Sequence, residues 1–398
     1  MRVIHYYPWG CFYPSSCGAD TTAVRQLEYL RERGCQVECL IGWSSQSSSI
    51  VERFRSHYDW LDEITFLDVP PVRAFTFEWV LSAYCQLKSS PDLQRALAAP
   101  PDLFFANYFF SAPMLDLLPT SSMRILETHD ICTDQFLSQE LAAGHQDGTP
   151  PNPLNPARRD YLFRLETNLF NLYDATLMVQ PEELRMVQAA KVRNAHYIPR
   201  MCPTEPAPGA RRHAQHAYDI LFVGSDHIPN RKGINRFLTH VYQPFLSKHK
   251  IRMAIVGRVC DHVKFHSPYV DMLGVVNAPP HALKDVYYAS KLVVVPILEG
   301  TGISIKTLEA LAMGRAVVTT PVGARGLEDP SQALACVDMQ GAPESMAEKI
   351  LHLLNCDQAR TGLEEQAIDY MEKHHSRAAF FAAMDRMMQS IGLHPFAN

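Results

Sequence analysis

Short apolar runs alternate with helical patterns along this chain, stop at a proline-rich stretch, and then begin again. Arg2–Tyr7 and Val37–Trp43 read as strands. Between them lies a helix capped by Asp20 or Thr21, with Ala23, Val24, Leu27 and Leu30 on its apolar face and Gly34 at its end. Glu63–Val69, Leu103–Ala106, Arg124–Thr128, Ala175–Gln180 and His196–Pro199 continue the series of strands, with helices in the gaps, notably Pro156–Leu172. This is the rhythm of βα units and a parallel sheet. It breaks between Met201 and His216, where Pro203, Pro206, Pro208, Gly209, Arg211 and Arg212 fall with no apolar periodicity. It restarts with strands at Asp219–Val223, Ile251–Val256, Asp271–Val276, Leu292–Ile297, Ala316–Thr320 and Ala333–Val337. Ile234–Leu246, Ser345–Leu354 and Gly362–Ile391 read as helical.

Two domains of one architecture are therefore expected, each a doubly wound α/β domain that binds ligands at the carboxyl ends of its strands. A length of 398 residues suits two such domains. The first is expected over residues 1–200, a linker over 201–217, the second over 218–375, and a last helix over 376–398. Residues 141–157, with Gly144, Gly148 and several prolines, read as a loop inside the first domain.

The composition narrows the functional classes. Hydrophobic content of 47% and charged content of 20% fit a soluble globular protein, and a net charge of -5 excludes nucleic acid as the main partner. The ten cysteines are scattered without a CxxC pair, so they read as free thiols in a reducing compartment. The start, Met-Arg-Val-Ile-His-Tyr-Tyr, lacks the apolar core of a signal peptide. No apolar run approaches the roughly 20 residues that cross a bilayer; the longest, Leu103–Leu118, is broken by Asn107, Ser111, Pro113 and Asp116. A cytoplasmic protein is expected, with peripheral contact at the inner membrane face left open. The aromatic runs Phe75–Trp79, Phe104–Phe105 and Tyr108–Phe110 read as core packing before they read as a lipid-facing surface.

The segment from Glu299 to Glu309 carries the chemistry. The run Leu292–Ile297 is a buried parallel strand by composition. It feeds the turn Glu299-Gly-Thr-Gly302, then a helix from Lys306 to Met313 closed by Gly314. Strand, glycine turn and helix start make an anion site, because unpaired amides and the positive end of the helix dipole converge there. Glycines at 300 and 302 let the backbone approach a phosphate. Lys306 and Glu309, three apart, share a helix face. A cation beside the phosphates and a carboxylate one turn on suit a nucleotide diphosphate, with Glu309 accepting from ribose hydroxyls. The third glycine of a dinucleotide fingerprint and the lysine of a Walker loop are both missing.

These residues resemble the donor-binding signature of the retaining GT-B glycosyltransferases, especially family 4 (glycosyl transferases group 1). The likeness extends over Leu308–Gly323, Asp219–Ser225 and Pro229–Gly233, and is strong over about residues 218–355. It implies a GT-B fold, with two Rossmann-like domains facing across a cleft. The acceptor binds mainly to the N-terminal domain and the nucleotide sugar mainly to the C-terminal one, and the last helix crosses back to the first domain. It implies a hexosyltransferase-type, metal-independent enzyme acting with retention in glycan, lipopolysaccharide or glycoconjugate biosynthesis. The acceptor would be a glycan, a lipid-linked sugar or a small molecule.

Residue by residue, the resemblance gives Glu309 the ribose and Glu299 the donor sugar, while Gly300, Thr301, Gly302 and Ile303 form the donor loop. The family's two glutamates are separated by seven residues; here nine lie between Glu299 and Glu309. The family's basic pair for the diphosphate is matched by Lys232, but Ser225 stands where the other member falls. Arg231 or Lys306 is expected to supply that charge, and Arg258 borders the base. In the first domain Gly18 matches the loop that packs on the donor phosphates, and His129 the histidine beside the donor sugar. His129, Asp130 and Asp134 are not read as a metal site, since the fold needs none to hold the diphosphate. Two alternatives stay open: a nucleotide-sugar epimerase of the same fold, and a non-catalytic sugar-nucleotide-binding protein.

Overall fold

The computed structural model describes residues 1–13, 18–43, 48–68, 77–134, 136–137, 156–204, 216–276, 282–300 and 302–394. The chain divides into two compact units, one of Met1–Arg200 with Phe381–Asn398 and one of Met201–Phe380. Thr301, most of the loop over 141–157 and most of the proline-rich stretch over 201–216 lie outside the described residues.

The first unit holds seven strands: β1 (Arg2–Tyr7), β2 (Gln36–Trp43), β3 (Glu63–Asp68), β4 (Leu103–Asn107), β5 (Met123–Glu127), β6 (Ala175–Met178) and β7 (Ala195–Tyr197). They form one sheet in the order β3-β2-β1-β4-β5-β6-β7. Every pairing is parallel. The second unit repeats the plan with β8 (Tyr218–Val223), β9 (Met253–Val256), β10 (Val270–Gly274), β11 (Ser290–Val295), β12 (Ala316–Thr319) and β13 (Ala335–Cys336), ordered β10-β9-β8-β11-β12-β13. In each sheet the strand order reverses beside the first strand, between β1 and β4 and between β8 and β11. The crevice at the carboxyl ends of such a pair is where doubly wound sheets take ligands.

The apolar runs form these strands because both faces of the sheet are covered. Phe104, Phe105, Leu292 and Val294 are fully buried. Phe109 and Phe110 join the same first-unit core, so these aromatics pack rather than face out. The side chains of Phe75–Trp79 are outside the described set.

Several boundaries differ from the sequence reading for local reasons. The first helix starts at Gly18, not at Asp20 or Thr21. Asp20 instead accepts a hydrogen bond from the Tyr7 hydroxyl at 2.6 Å. The helix expected at Ile234–Leu246 is an α-helix over Ile228–Phe237, continued by a π-helical stretch over Leu238–Leu246. Pro244 lies in that stretch and has no amide hydrogen for the α-helical ladder. The long helix expected over Gly362–Ile391 is two, Asp357–His374 and Arg377–Ser390. The break comes where the His375 carbonyl accepts from the Cys202 amide at 2.9 Å and Ser376 Oγ caps the next helix by accepting from the Ala379 amide at 3.1 Å. Within the first unit, Asp385 of this last helix pairs with Arg33 at 2.6 Å and accepts from the Tyr29 hydroxyl at 2.9 Å. The strand expected over Ala333–Val337 shortens to Ala335–Cys336 at the sheet edge, where it pairs on one side alone.

The nine cysteines among the described residues are free thiols. No helix among those residues is long and apolar enough to cross a membrane.

Candidate functional site

In the second unit the site is built at the carboxyl end of β11, the strand that borders the reversal. Beyond Val295 the chain passes Glu299, Gly300 and Gly302 and enters the helix Ile305–Ala312. Gly300 has φ 137° and Gly302 φ 64°, backbone conformations that side-chain-bearing residues adopt only with strain. A Cβ on Gly300 would also meet the Arg325 guanidinium at 2.9 Å. Ser304 caps the helix, but its side chain makes no hydrogen bond to the first-turn amides. Its hydroxyl meets that of Thr307 at 2.9 Å, and Thr307 donates to the Gly323 carbonyl at 2.6 Å. The Thr307 amide donates to the Ser304 carbonyl at 3.1 Å, which leaves the amides of Ile305 and Lys306 for an anion.

Lys306 and Glu309 stand one turn apart on this helix. Both are partly solvent-accessible yet densely surrounded by protein, and among the described residues neither side chain makes a hydrogen bond or ion pair. Burial pushes the Lys306 ammonium down to about 8; Arg325 adds to the fall and Glu309 opposes it. Burial likewise raises Glu309 above the ordinary carboxylate value, against the attraction of Lys306. Two desolvated, unpaired charges of opposite sign within one turn form a site ready for a ligand that pairs with both.

The helix Ile228–Phe237 delivers the next group. A Cβ on Gly233 would lie 2.5 Å from the Pro296 carbonyl oxygen, so only glycine lets this helix rest on the end of β11. That close approach brings Lys232 to Glu299, and the two form an ion pair at 2.8 Å. Ser225 follows β8 and Gly224; Asn230 Nδ2 donates to its carbonyl at 2.9 Å and fixes the loop. Arg231 is engaged by Asp226, which also meets His262 at 3.0 Å. Arg258 is exposed just beyond the carboxyl end of β9, after Gly257 with φ 102°. Ile303 is buried against Gly326, whose hypothetical Cβ would lie 2.7 Å from Ile303 Cγ1.

Two residues here were not singled out from the sequence. Arg325 follows β12 and lies against Gly300, and its charge acts on Lys306. Exposed His227 precedes the Ile228–Phe237 helix, where partial desolvation and then Lys306, Arg231 and Arg325 lower its pKa, against Asp226. The only sequence signal for Arg325 was a cation between Gly323 and Gly326, just after a strand.

In the first unit, His129 follows β5 and is buried, with φ 63°. Its amide donates to Glu127 Oε1 at 3.1 Å, its Nε2 lies 2.8 Å from Asn107 Oδ1, and its ring stacks on Tyr108 at 4.4 Å. Tyr108, after β4, also has a positive φ of 64°. Two strained residues at adjacent strand ends mark a functional edge. Glu127 is buried and rises to about 7 by desolvation, opposed by the His129 amide, Arg200 and Gln26. His129 falls well below the ordinary histidine value by desolvation and then by Arg200 and His5. Gly18 opens the first helix, and its carbonyl accepts from the Thr22 hydroxyl at 3.1 Å and from Arg200. Asp134 pairs with Arg159 at 2.7 Å. Among the described residues no group of three His, Cys, Asp or Glu is placed to hold a metal ion.

No curated protein matches the sequence significantly. Among solved structures, sucrose-phosphate synthase from Thermosynechococcus elongatus superposes with a TM-score of 0.67 at 16% identity, covering 98% of this chain and 99% of its own. HepE from Anabaena, in complex with UDP and glucose, gives 0.65 at 13% identity, covering 98% of this chain and 100% of its own. WaaG, a glycosyltransferase involved in lipopolysaccharide biosynthesis, gives 0.57 at 16% identity, covering 97% and 99%. These likenesses show the fold, two parallel-sheet Rossmann-like domains of the GT-B class, as the sequence led us to expect. The family model described as glycosyl transferases group 1 matches residues 217–356, the stretch that carries the glycine turn, Lys306 and Glu309, and with the fold it supports a role in glycosyl transfer.

Proposed function

We propose that the chain transfers a sugar from a nucleotide diphosphate sugar to an acceptor hydroxyl, with retention at the anomeric carbon and without a metal. The observation that carries this reading is the pair Lys306 and Glu309, desolvated and unpaired at the start of a helix behind a glycine turn. Lys306, Lys232, Arg325 and the first-turn amides take the diphosphate, and Glu309 accepts from the ribose hydroxyls. Glu299 holds the donor sugar, with Gly300–Ile303 as its loop and Arg258 at the base.

The bond between the anomeric carbon and the diphosphate oxygen breaks, and its electron pair goes to the diphosphate. Cations and amides aimed at that developing charge lower the barrier, because they are already oriented before reaction. The acceptor oxygen forms the new bond, and its proton passes to the departing diphosphate oxygen. Lys232 is tied to Glu299 in this state, so donor binding must open that pair. His129, neutral and buried, orients the sugar rather than carrying charge. HepE was solved with UDP and glucose, which favours a UDP-sugar as the first donor to try. We place the reaction in the cytoplasm, consistent with free thiols throughout the described chain, in glycan or glycoconjugate synthesis, with membrane contact where the acceptor is lipid-linked.

Thermal-shift screening against UDP-, GDP-, ADP- and dTDP-sugars, followed by transfer assays, tests the proposal. One donor is expected to stabilise the protein in a concentration-dependent way. Failure of all four to do so rejects it.

A further inference from the structure

One buried amide fixes the chemistry of His129. Asn107, the last residue of β4, is fully buried. Its Nδ2 lies 3.0 Å from the Tyr6 carbonyl. A carbonyl oxygen only accepts, so the NH2 of Asn107 must face Tyr6 and Oδ1 must face the other way. Oδ1 lies 2.8 Å from His129 Nε2. An amide oxygen also only accepts, so Nε2 carries a proton. Desolvation, Arg200 and His5 all disfavour the charged ring, and a neutral imidazole has a single N–H. Nδ1 is then a bare lone pair. It is buried and has no hydrogen-bond partner among the described residues.

We propose that Asn107 is a positioning residue that holds His129 in the Nε2–H tautomer, so that Nδ1 is offered as a hydrogen-bond acceptor to a hydroxyl of the sugar substrate. A buried acceptor left unsatisfied is costly, and a site that fills it with a ligand group recovers that cost. The ligand group must donate. A hydroxyl does so; a phosphate or carboxylate, which only accept when ionised, does not.

Groups from several elements face the pair. β1 contributes His5, whose Nε2 lies 2.9 Å from Gln26 Oε1 and donates to it; that nitrogen, 3.2 Å from Asn107 Nδ2, then cannot accept from Asn107, so the Tyr6 carbonyl alone orients the amide. The first helix contributes Gln26, which donates to Glu127 at 3.3 Å. β5 and the residues after it contribute Glu127 and Asp130, and the segment after β7 contributes Arg200. Tyr108 covers one face of the ring. None of these places a proton donor on Nδ1. The proton on Nε2 follows from the hydrogen bonds, and the bare Nδ1 from those bonds together with the burial that keeps the ring neutral; its bearing on transfer rests on the function proposed above.

The test is ¹⁵N NMR of the full-length chain labelled at its 17 histidines, with the His129 signals assigned by their loss in His129→Gln. At neutral pH the wild type is expected to show Nε2 protonated and Nδ1 unprotonated. The reverse pattern, or a doubly protonated ring, overturns the proposal without any variant having to fold. Asn107→Leu is expected to give mixed tautomers and to lower transfer turnover by about tenfold or more, with KM for the donor little changed. Asn107→Asp, whose carboxyl still accepts from Nε2, is expected to keep the tautomer, recover turnover and raise the pH at which His129 gains its second proton. An Asn107→Leu spectrum identical to wild type removes the positioning role. A shifted tautomer with unchanged turnover leaves Asn107 as the cause of the tautomer and rejects its part in transfer.

Discussion

Replacing Lys306 by methionine is expected to make the free protein more stable and the ligand-bound protein weaker. Lys306 falls from its ordinary 10.5 to about 8 on folding, which at 1.36 kcal/mol per pH unit corresponds to roughly 3 kcal/mol against the charged form. The side chain keeps some solvent, and its removal strips Glu309 of a favourable neighbour, so the net gain at pH 7 is reduced to about 1–2 kcal/mol. For a domain of this size that raises Tm by roughly 2–8 °C. The pH dependence supplies the sign. A lysine whose folded pKa is lowered destabilises the fold wherever it is protonated, so wild-type stability should rise between about pH 8 and pH 10.5 as the folded state sheds the proton first. The methionine variant should lack that rise. Its affinity for the nucleoside diphosphate that best stabilises the wild type should fall by about 10- to 100-fold, the worth of a charged hydrogen bond. Thermal unfolding across pH and calorimetric titration read both quantities. A lower Tm together with unchanged affinity would show that Lys306 is a structural cation and refute the reasoning.

Other expectations follow from the same geometry. Glu309→Ala should weaken nucleoside diphosphate binding by about 10- to 100-fold by calorimetry with little loss of stability, since among the described residues the desolvated carboxylate makes no hydrogen bond or ion pair and only the attraction of Lys306 is lost; unchanged affinity would remove the ribose role. Lys232→Ala should change stability by less than about 1 kcal/mol, because its ion pair with Glu299 is well exposed, while turnover falls; normal turnover would detach Lys232 from the diphosphate. Gly233→Ala should cost about 1–3 kcal/mol and reduce donor affinity, because its new methyl meets the Pro296 carbonyl and moves the helix that carries Lys232 off the end of β11; a neutral result by denaturant titration would contradict the close approach. Glu127 rises from 4.5 to about 7, so its ionisation destabilises the fold and wild-type stability should decline as pH rises through that window. Glu127→Gln should flatten the decline in urea titrations across pH, and an unaltered slope would assign it elsewhere.

The doubly wound plan was legible because its signal is redundant. Each buried strand is a dense apolar run, and Leu292–Ile297 followed by Gly300 and Gly302 admits few other readings. The second sheet follows the strand order of the first, and its reversal beside β11 puts the glycine turn where ligands bind. What sequence could not supply was side-chain meeting across distant segments. Lys232 and Glu299 were named separately as ligands of the donor; their pairing depends on how closely Gly233 sits against Pro296. Arg231 was a candidate for the missing charge, yet it is engaged by Asp226, and Arg325 is the guanidinium beside Gly300. His129 was legible as a strand-end histidine, but its tautomer comes from Asn107 and Tyr6, which no spacing links to it. The merged helix over Gly362–Ile391 failed because apolar periodicity runs on through His375 and Ser376, where the backbone turns aside to Cys202.

The central claim is sugar transfer, and one assay bears on it most directly. Purified full-length protein is incubated with the nucleotide sugar that stabilises it, with and without a panel of glycan and glycoside acceptors, and products are resolved by mass spectrometry and anomeric NMR. The account predicts nucleoside diphosphate release that depends on acceptor, an acceptor product heavier by one sugar with the donor's anomeric configuration, and a fall in the rate of both by about tenfold or more in Lys306→Met at limiting donor. Release independent of acceptor, an isomerised nucleotide sugar, or an unchanged rate in Lys306→Met would contradict it.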